Sequence, residues 1–110
     1  MSATATGVVI GKDGCEGDKF NGNETLTVSV QDTARMDTSA ITLGEQKVTL
    51  KRGGTFPIHF NVEYDEEAAN KVPDYGFTLR ASITDDQGEL MYTSDTRTSA
   101  RGDKIEVRKV

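Results

Sequence analysis

The sequence has little of several residue types on which common functional sites depend. It contains no tryptophan, one cysteine (Cys15) and one histidine (His59) among 110 residues. A single cysteine excludes an intrachain disulfide and a zinc site built from several cysteines, and a single histidine makes a histidine-based metal site equally poor. Because tryptophan is absent and Tyr75 is the one tyrosine predicted outside a strand, a stacking platform for sugars has weak support.

Positive charge and long apolar runs are also scarce. The chain has thirteen basic and eighteen acidic residues, which gives a net charge of −5. Such a surface repels phosphate backbones and anionic headgroups, so we expect no binding to nucleic acid. No apolar run approaches the roughly 18 residues of a membrane-spanning helix. Residues 1–11 lack the basic start and apolar stretch of a signal peptide, and residues 12–14 do not fit a lipidation site before Cys15.

Alternation of apolar and polar residues with period two dominates the chain and is typical of strands. It is clear at residues 25–30, 57–64 and 77–83, and weaker at 4–10, 43–50, 89–94 and 104–110. The residues predicted to face the core are Leu26, Val28, Val30, Ile58, Phe60, Val62, Phe77, Leu79, Ala81 and Ile83. Because each strand has one apolar face to bury, we expect a single all-β domain over residues 1–110. Its predicted form is an antiparallel sandwich of two sheets with about seven strands, immunoglobulin-like or transthyretin-like.

The remaining segments are predicted to be turns, short helices and exposed edges. Residues 32–39 and 65–71 have room for a helical turn, and Asp65 is a suitable N-cap for the second. The strands at 4–10 and 43–50 are each flanked by a long irregular stretch, so we expect them to lie at the edges of the sheets. An edge strand presents unpaired backbone groups to which an extended peptide can add.

A glycine-rich loop at residues 11–23 is the candidate for a small-ligand site. Calcium sites on β-sandwiches use such loops, because the ion takes six to eight oxygen ligands on a flexible scaffold. The candidate ligands are Asp13, Glu16 and Asp18, with Asp85 and Asp86 from another turn. Their spacing does not match the ligand order of an EF-hand, and we expect no tightly bound ion. A module that binds calcium or a glycan remains the alternative function.

No combination of residues predicts an active site. Cys15 is expected to be an ordinary exposed thiol, since neighbouring carboxylates weaken a nucleophile. His59 alternates with Ile58 and Phe60, so it should lie on a solvated face. The adjacent pair Glu66-Glu67 has nothing apolar beside it that would suit acid catalysis. We therefore expect no catalytic residues, no cofactor and no enzymatic activity.

Three blocks of sequence, taken in order, resemble a known family. They are Pro57-Ile58-His59-Phe60, the run from Tyr75 to Ile83, and Tyr92-Thr93-Ser94-Asp95-Thr96. Together with the strand that begins at Leu26, they are similar to the YscW/YbaY-type lipoprotein family, which includes the pilotin-like chaperones of type III secretion. The resemblance extends from about residue 4 to residue 110.

The resemblance implies a place and a role for the protein. Members of this family are β-sandwiches tethered by a lipidated cysteine to the outer membrane, facing the periplasm. We therefore expect a monomeric, non-enzymatic adaptor or chaperone whose partner is a secretin or another envelope protein. The lipid anchor is implied by the family and is not found in this chain. Arg80 and Asp95 are expected to pair across neighbouring strands.

Overall fold

The computed structural model describes residues 2–34, 40–94, 98–100 and 102–110, and strands account for most of them. The strands are β1 (Ser2–Gly11), β2 (Thr25–Asp32), β3 (Ile41–Thr49), β4 (Ile58–Asp65), β5 (Phe77–Thr84), β6 (Leu90–Thr93), β7 (Thr98–Ser99) and β8 (Lys104–Lys109). A short helix α1 (Glu66–Asn70) and a 3-10 turn (Asp74–Gly76) connect β4 to β5. In these ranges no helix has the length and apolar character needed to cross a membrane.

The strands form one mixed sheet that curls into a nearly closed barrel. Its order is β3-β2-β5-β6-β8-β1-β4, and the short β7 pairs with β5 outside this path. Neighbours are antiparallel except β1 and β8, which are parallel. β8 pairs with β1 through residues 104–107 and with β6 through its last two residues, so it joins the two halves of the molecule.

The all-β prediction is confirmed, but the antiparallel two-sheet sandwich is not the arrangement found. Alternation along a strand reports which side chains face the core, because successive side chains point to opposite faces of a sheet. It carries no information about which strand edges hydrogen-bond. The parallel pairing of β8 with β1 and the turn of the sheet at β8 therefore could not be read from the pattern.

The predicted register is confirmed by burial. Nine of the ten residues predicted to face the core are buried, and Ile58 is half-buried. The central pair, β2 and β5, runs in a continuous antiparallel register from Thr25 opposite Thr84 to Asp32 opposite Phe77. Its inward residues Leu26, Val28, Leu79 and Ile83 have no exposed surface. These strands form the centre of the core.

The connecting segments confirm one expectation and correct another. Asp65 caps α1, and its Oδ1 accepts hydrogen bonds from the backbone N–H groups of Glu67 and Ala68 at 3.0 and 3.3 Å. The other predicted helical turn, at residues 32–39, extends into residues 35–39, which lie outside the described residues. The prediction that β1 is an edge strand is wrong for residues 8–11, which pair with β8, whereas the described pairing of residues 2–7 is with β4 alone. The prediction for β3 is confirmed, and β4 forms the other end of the sheet.

Candidate functional site: the seam between β3 and β4

The two ends of the sheet face each other, and the line where they meet is here called the seam. Following the strand directions around the sheet makes β3 and β4 antiparallel. They approach most closely where Gly44 lies against the backbone of β4. A Cβ at Gly44 would lie 2.1 Å from the carbonyl oxygen of Glu63 and 2.8 Å from the Cβ of Tyr64. The absence of a side chain at this position is what lets the strands touch.

Next to Gly44, the contact between β3 and β4 is made by the side chain of Gln46 and not by backbone hydrogen bonds between the strands. The backbone N–H of Asn61 donates to Oε1 of Gln46 at 2.9 Å, so this N–H points across the seam. Because backbone groups of successive residues in a strand point to opposite edges, those of His59 and Glu63 point to the same edge as those of Asn61. No ladder joins β3 to β4 in the part of the chain that the structure describes. The facing edges of β3 and β4 therefore keep backbone groups that can form hydrogen bonds with another segment.

Beyond Gln46 the seam opens into an apolar groove of about 460 Å³. Its apolar surface comes from Val48 and Leu50 on one side, Pro57 and Ile58 on the other, and Phe20 at the end. Val48 and Ile58 pack on the core but stay only half-buried. In a closed barrel their faces would be covered by the neighbouring strand. Here they form an accessible apolar surface bordered by strand edges.

Two more aromatic rings lie behind Phe20 and pack with it at this end of the barrel. Phe20, Phe56 and Tyr92 contact one another edge to face, with ring centroids 5.2 to 6.0 Å apart. Such geometry is favourable because the positive ring edge meets a negative ring face. The Tyr92 hydroxyl donates to Oδ2 of Asp18 at 2.7 Å. Burial and this bond to a carboxylate raise the pKa of Tyr92 far above its ordinary value of 10.0.

The loop that carries Phe20 is fixed by a buried carboxylate. Glu24 is 2% exposed. Its carboxylate accepts the backbone N–H groups of Asn21 at 2.9 Å, Gly22 at 3.0 Å and Asn23 at 3.2 Å. Such bonds satisfy a charge that would be costly to bury alone. The backbone of Phe20 also pairs with residues 53 and 54. The groove therefore has a fixed end wall.

The structure separates the residues of the predicted calcium loop. Asp18 is bound to Tyr92, whereas Asp13 and Glu16 are exposed. Asp85 caps its own turn by accepting the N–H groups of Gln87 and Glu89, both at 2.9 Å. Asp86 is exposed. Among the described residues, no three metal-ligating side chains come together.

The other candidate residues have ordinary structural roles, with one correction. The prediction that Cys15 is exposed is wrong: it is 2% exposed, and its Sγ lies 3.0 Å from the Lys12 carbonyl oxygen. The loop folds back on the barrel and so buries the thiol. His59 is exposed, as predicted, and lies on the rim of the groove. Glu66 and Glu67 form the first turn of α1. Asp95, the expected partner of Arg80, lies outside the described residues.

The sequence matches the family described as the type III secretion system lipoprotein chaperone (YscW) over residues 4–108. The chain belongs to this family. The resemblance seen in the sequence is confirmed, and so is the expectation that the protein is not an enzyme, since this is a family of chaperones. No curated protein matches the chain.

A solved structure shows the same fold. It is described as an alternative pilotin from the type II secretion system of Vibrio cholerae. The TM-score is 0.80 at 22% sequence identity, and the match covers 100% of this chain and 98% of the other. The two proteins therefore share their architecture over nearly their whole length.

The groove was not predicted from the sequence, although two features of the sequence indicate it. Gly44 and Gln46 occupy inward positions of β3, where β2 has Val30 and Val28. A strand whose inward row contains a glycine and an amide buries little apolar surface, which marks it as a poor central strand. The partner strand β4 gives no comparable indication. Its inward residues are apolar, and only the topology places it at an end of the sheet.

Proposed function

We propose that the protein is a pilotin-like chaperone that binds a segment of a secretin in the groove of the seam. The observation that carries this proposal is the open seam itself. Two antiparallel terminal strands lie side by side without a ladder, and half-buried Val48 and Ile58 line the gap. An extended or amphipathic segment could cover the apolar surface and pair with a strand edge. Membership of a lipoprotein chaperone family supports a partner from a secretion system.

The proposed location is the periplasmic face of the outer membrane. The family description as a lipoprotein supports attachment through a lipid. The groove suits a chaperone because its occupant is held by apolar contacts and backbone bonds and needs no chemical change. A flexible segment that becomes ordered on binding loses conformational entropy, so moderate, reversible affinity is expected. Such affinity suits a carrier that must release its partner after delivery.

The test is an amide-shift titration of the isotopically labelled protein with peptides tiled along the secretin of the same secretion system. We expect shifts to concentrate at residues 47–50 and 57–59. Val48→Gln should weaken binding about tenfold, because a neutral polar group removes roughly 1.4 kcal/mol of apolar contact. Thr42→Gln, an exposed change on the same strand, is the matched control and should have no effect.

Melting temperatures of both variants establish that they are folded. Two outcomes would overturn the proposal: shifts that localise away from the seam, or a Val48→Gln variant that is folded and binds with unchanged affinity. Secretin delivery in cells provides the second readout, and Val48→Gln should impair it while Thr42→Gln should not.

A further inference from the structure

The seam has opposite charge at its two ends. Residues 50–62, around the open end, include Lys51 and Arg52 and contain no aspartate or glutamate. Lys47, further back on β3, pairs with Glu45 at 3.9 Å. Residues 63–67, at the closed end, are Glu-Tyr-Asp-Glu-Glu. In a protein of net charge −5, the surface around the groove is therefore locally positive. The two ends differ in what they can attract.

The structure places cations on the rim of the groove. Lys51 lines it directly. Lys19 pairs through its backbone with Thr55, another lining residue, and its side chain is exposed. Arg52 is exposed beside the same wall, because its Cβ lies against Gly22. A segment in the groove would pass close to this rim.

Two carboxylates near the end wall of the groove are engaged inside the protein, whereas Glu45, on β3, is exposed and pairs with Lys47. Asp18, next to Lys19, accepts the hydroxyl of Tyr92 at 2.7 Å. Glu24 is buried and accepts three backbone N–H groups. Both charges are directed inward, whereas the lysine and arginine side chains are exposed. The rim therefore presents positive charge outward.

The closed end of the seam presents negative charge. A shallow depression there is lined by Glu63, Asp65 and Glu67, together with Leu43 and Tyr64. The three carboxylate residues are exposed. An acidic group arriving at this end would be repelled, while a lysine or arginine would be attracted.

We infer that the segment bound in the groove carries acidic residues beside its apolar stretch, and that its acidic end lies at Lys51 while any basic end lies toward Glu63. This inference rests on the proposed function, because it describes the occupant of the same groove. Charge at the rim contributes little affinity by itself but sets orientation and selects among apolar partners. A hydrophobic segment flanked by lysines would be disfavoured at the open end.

The experiment uses three synthetic peptides with one valine- and leucine-rich core, flanked at one end by glutamate, serine or lysine. We expect the glutamate peptide to bind about three- to tenfold more tightly than the serine peptide, and the lysine peptide to bind most weakly. Raising the salt concentration from about 0.05 to about 0.5 M should remove most of this difference. Lys51→Glu should reverse the ranking of the glutamate and lysine peptides.

Arg80→Glu is the matched control, since it makes the same charge change on β5, two strands from β3 around the sheet. It should leave the ranking unchanged. A spin label on the acidic end of the glutamate peptide gives the orientation. It should broaden the amide signals of Lys51 and Thr55 more strongly than those of Glu63 and Asp65.

The outcomes separate this inference from the proposed function. Equal binding of all three peptides in the groove, or stronger broadening at Glu63 than at Lys51, would overturn the inference and leave the function standing. So would failure of all three peptides when the secretin segment binds. If neither the peptides nor the secretin segments shift the groove residues, both the function and the inference are wrong.

Discussion

The contact of β2 with β5 and the meeting of β3 with β4 show two ways in which neighbouring antiparallel strands behave in one sheet. The first has eight residue pairs in unbroken register. The second has the close approach at Gly44, the bond from Asn61 to Gln46, and then an open groove. Both involve alternating strands of similar length. The difference shows that side-chain alternation is enough to form a strand but not to seal a sheet.

The physical cause lies in the inward row of β3. Gly44 contributes no side chain, and Gln46 uses its amide to satisfy a backbone N–H across the seam. Among the residues of β3, Leu43 and Val48 pack on the core, and both remain half-buried. By contrast, Leu26, Val28 and Val30 of β2 are completely buried. β3 therefore contributes less apolar side-chain surface to the barrel interior than β2 does, and the groove begins beyond Gln46, the last residue of β3 whose side chain bonds to β4.

The largest expected effect concerns the contact of β2 with β5, where the inward side chains are fully buried. Leu79→Ala should lower the free energy of unfolding by about 2–5 kcal/mol, because the side chain is fully buried and the change leaves a cavity. Val48→Ala should cost about 1 kcal/mol or less, since its side chain is only partly buried and lies beside the open groove. Urea denaturation of both variants measures the difference. Equal losses would mean that the seam is packed as tightly as the core.

An intermediate effect is expected at the closed end of the seam. Gly44→Val should cost about 1–3 kcal/mol, because the new side chain meets the backbone of Glu63, which cannot move without separating the strands. Amide exchange at Asn61 should become faster as its bond to Gln46 is lost. Gly17→Val is the control, since nothing lies within 4 Å of a Cβ there. If the two variants are equally stable, close approach at Gly44 does not hold the seam.

The smallest effect concerns the rigid wall at the end of the groove. Tyr92→Phe removes the bond to Asp18 and should cost about 1 kcal/mol at neutral pH. Above about pH 10 an unfolded tyrosine loses its proton, whereas Tyr92 keeps it because its pKa is raised. The native protein should therefore lose stability as the pH rises above 10, and Tyr92→Phe should lose less.

Urea melts between pH 8 and pH 11.5 measure this slope. Tyr75→Phe is the control, because that side chain is 69% exposed, and it should retain the alkaline loss of the native protein. Parallel pH curves for the native protein and Tyr92→Phe would contradict the assignment of the alkaline loss to this hydroxyl.

Local features of the fold were predictable because they depend on neighbours in the chain. The inward positions of β2, β4 and β5 followed from period-two alternation, and the cap of α1 followed from Asp65 before two glutamates. The structure of the loop at residues 11–23 was harder to predict. Its carboxylates suggested a solvated or metal-binding segment, yet Asp18 accepts the Tyr92 hydroxyl, Cys15 is buried, and Glu24, just after the loop, accepts backbone N–H groups of the loop. Those bonds depend on groups that the fold brings together.

The sequence by itself determined an all-β, non-enzymatic domain, the faces of its strands and its family. Tertiary structure alone decided that β4 ends the sheet and that β8 joins its halves in a parallel pairing. The reason is the range of the interactions. Alternation and capping act over a few residues, whereas the pairing of strand edges joins residues far apart in the chain, and the pattern of side chains along a single strand does not encode it.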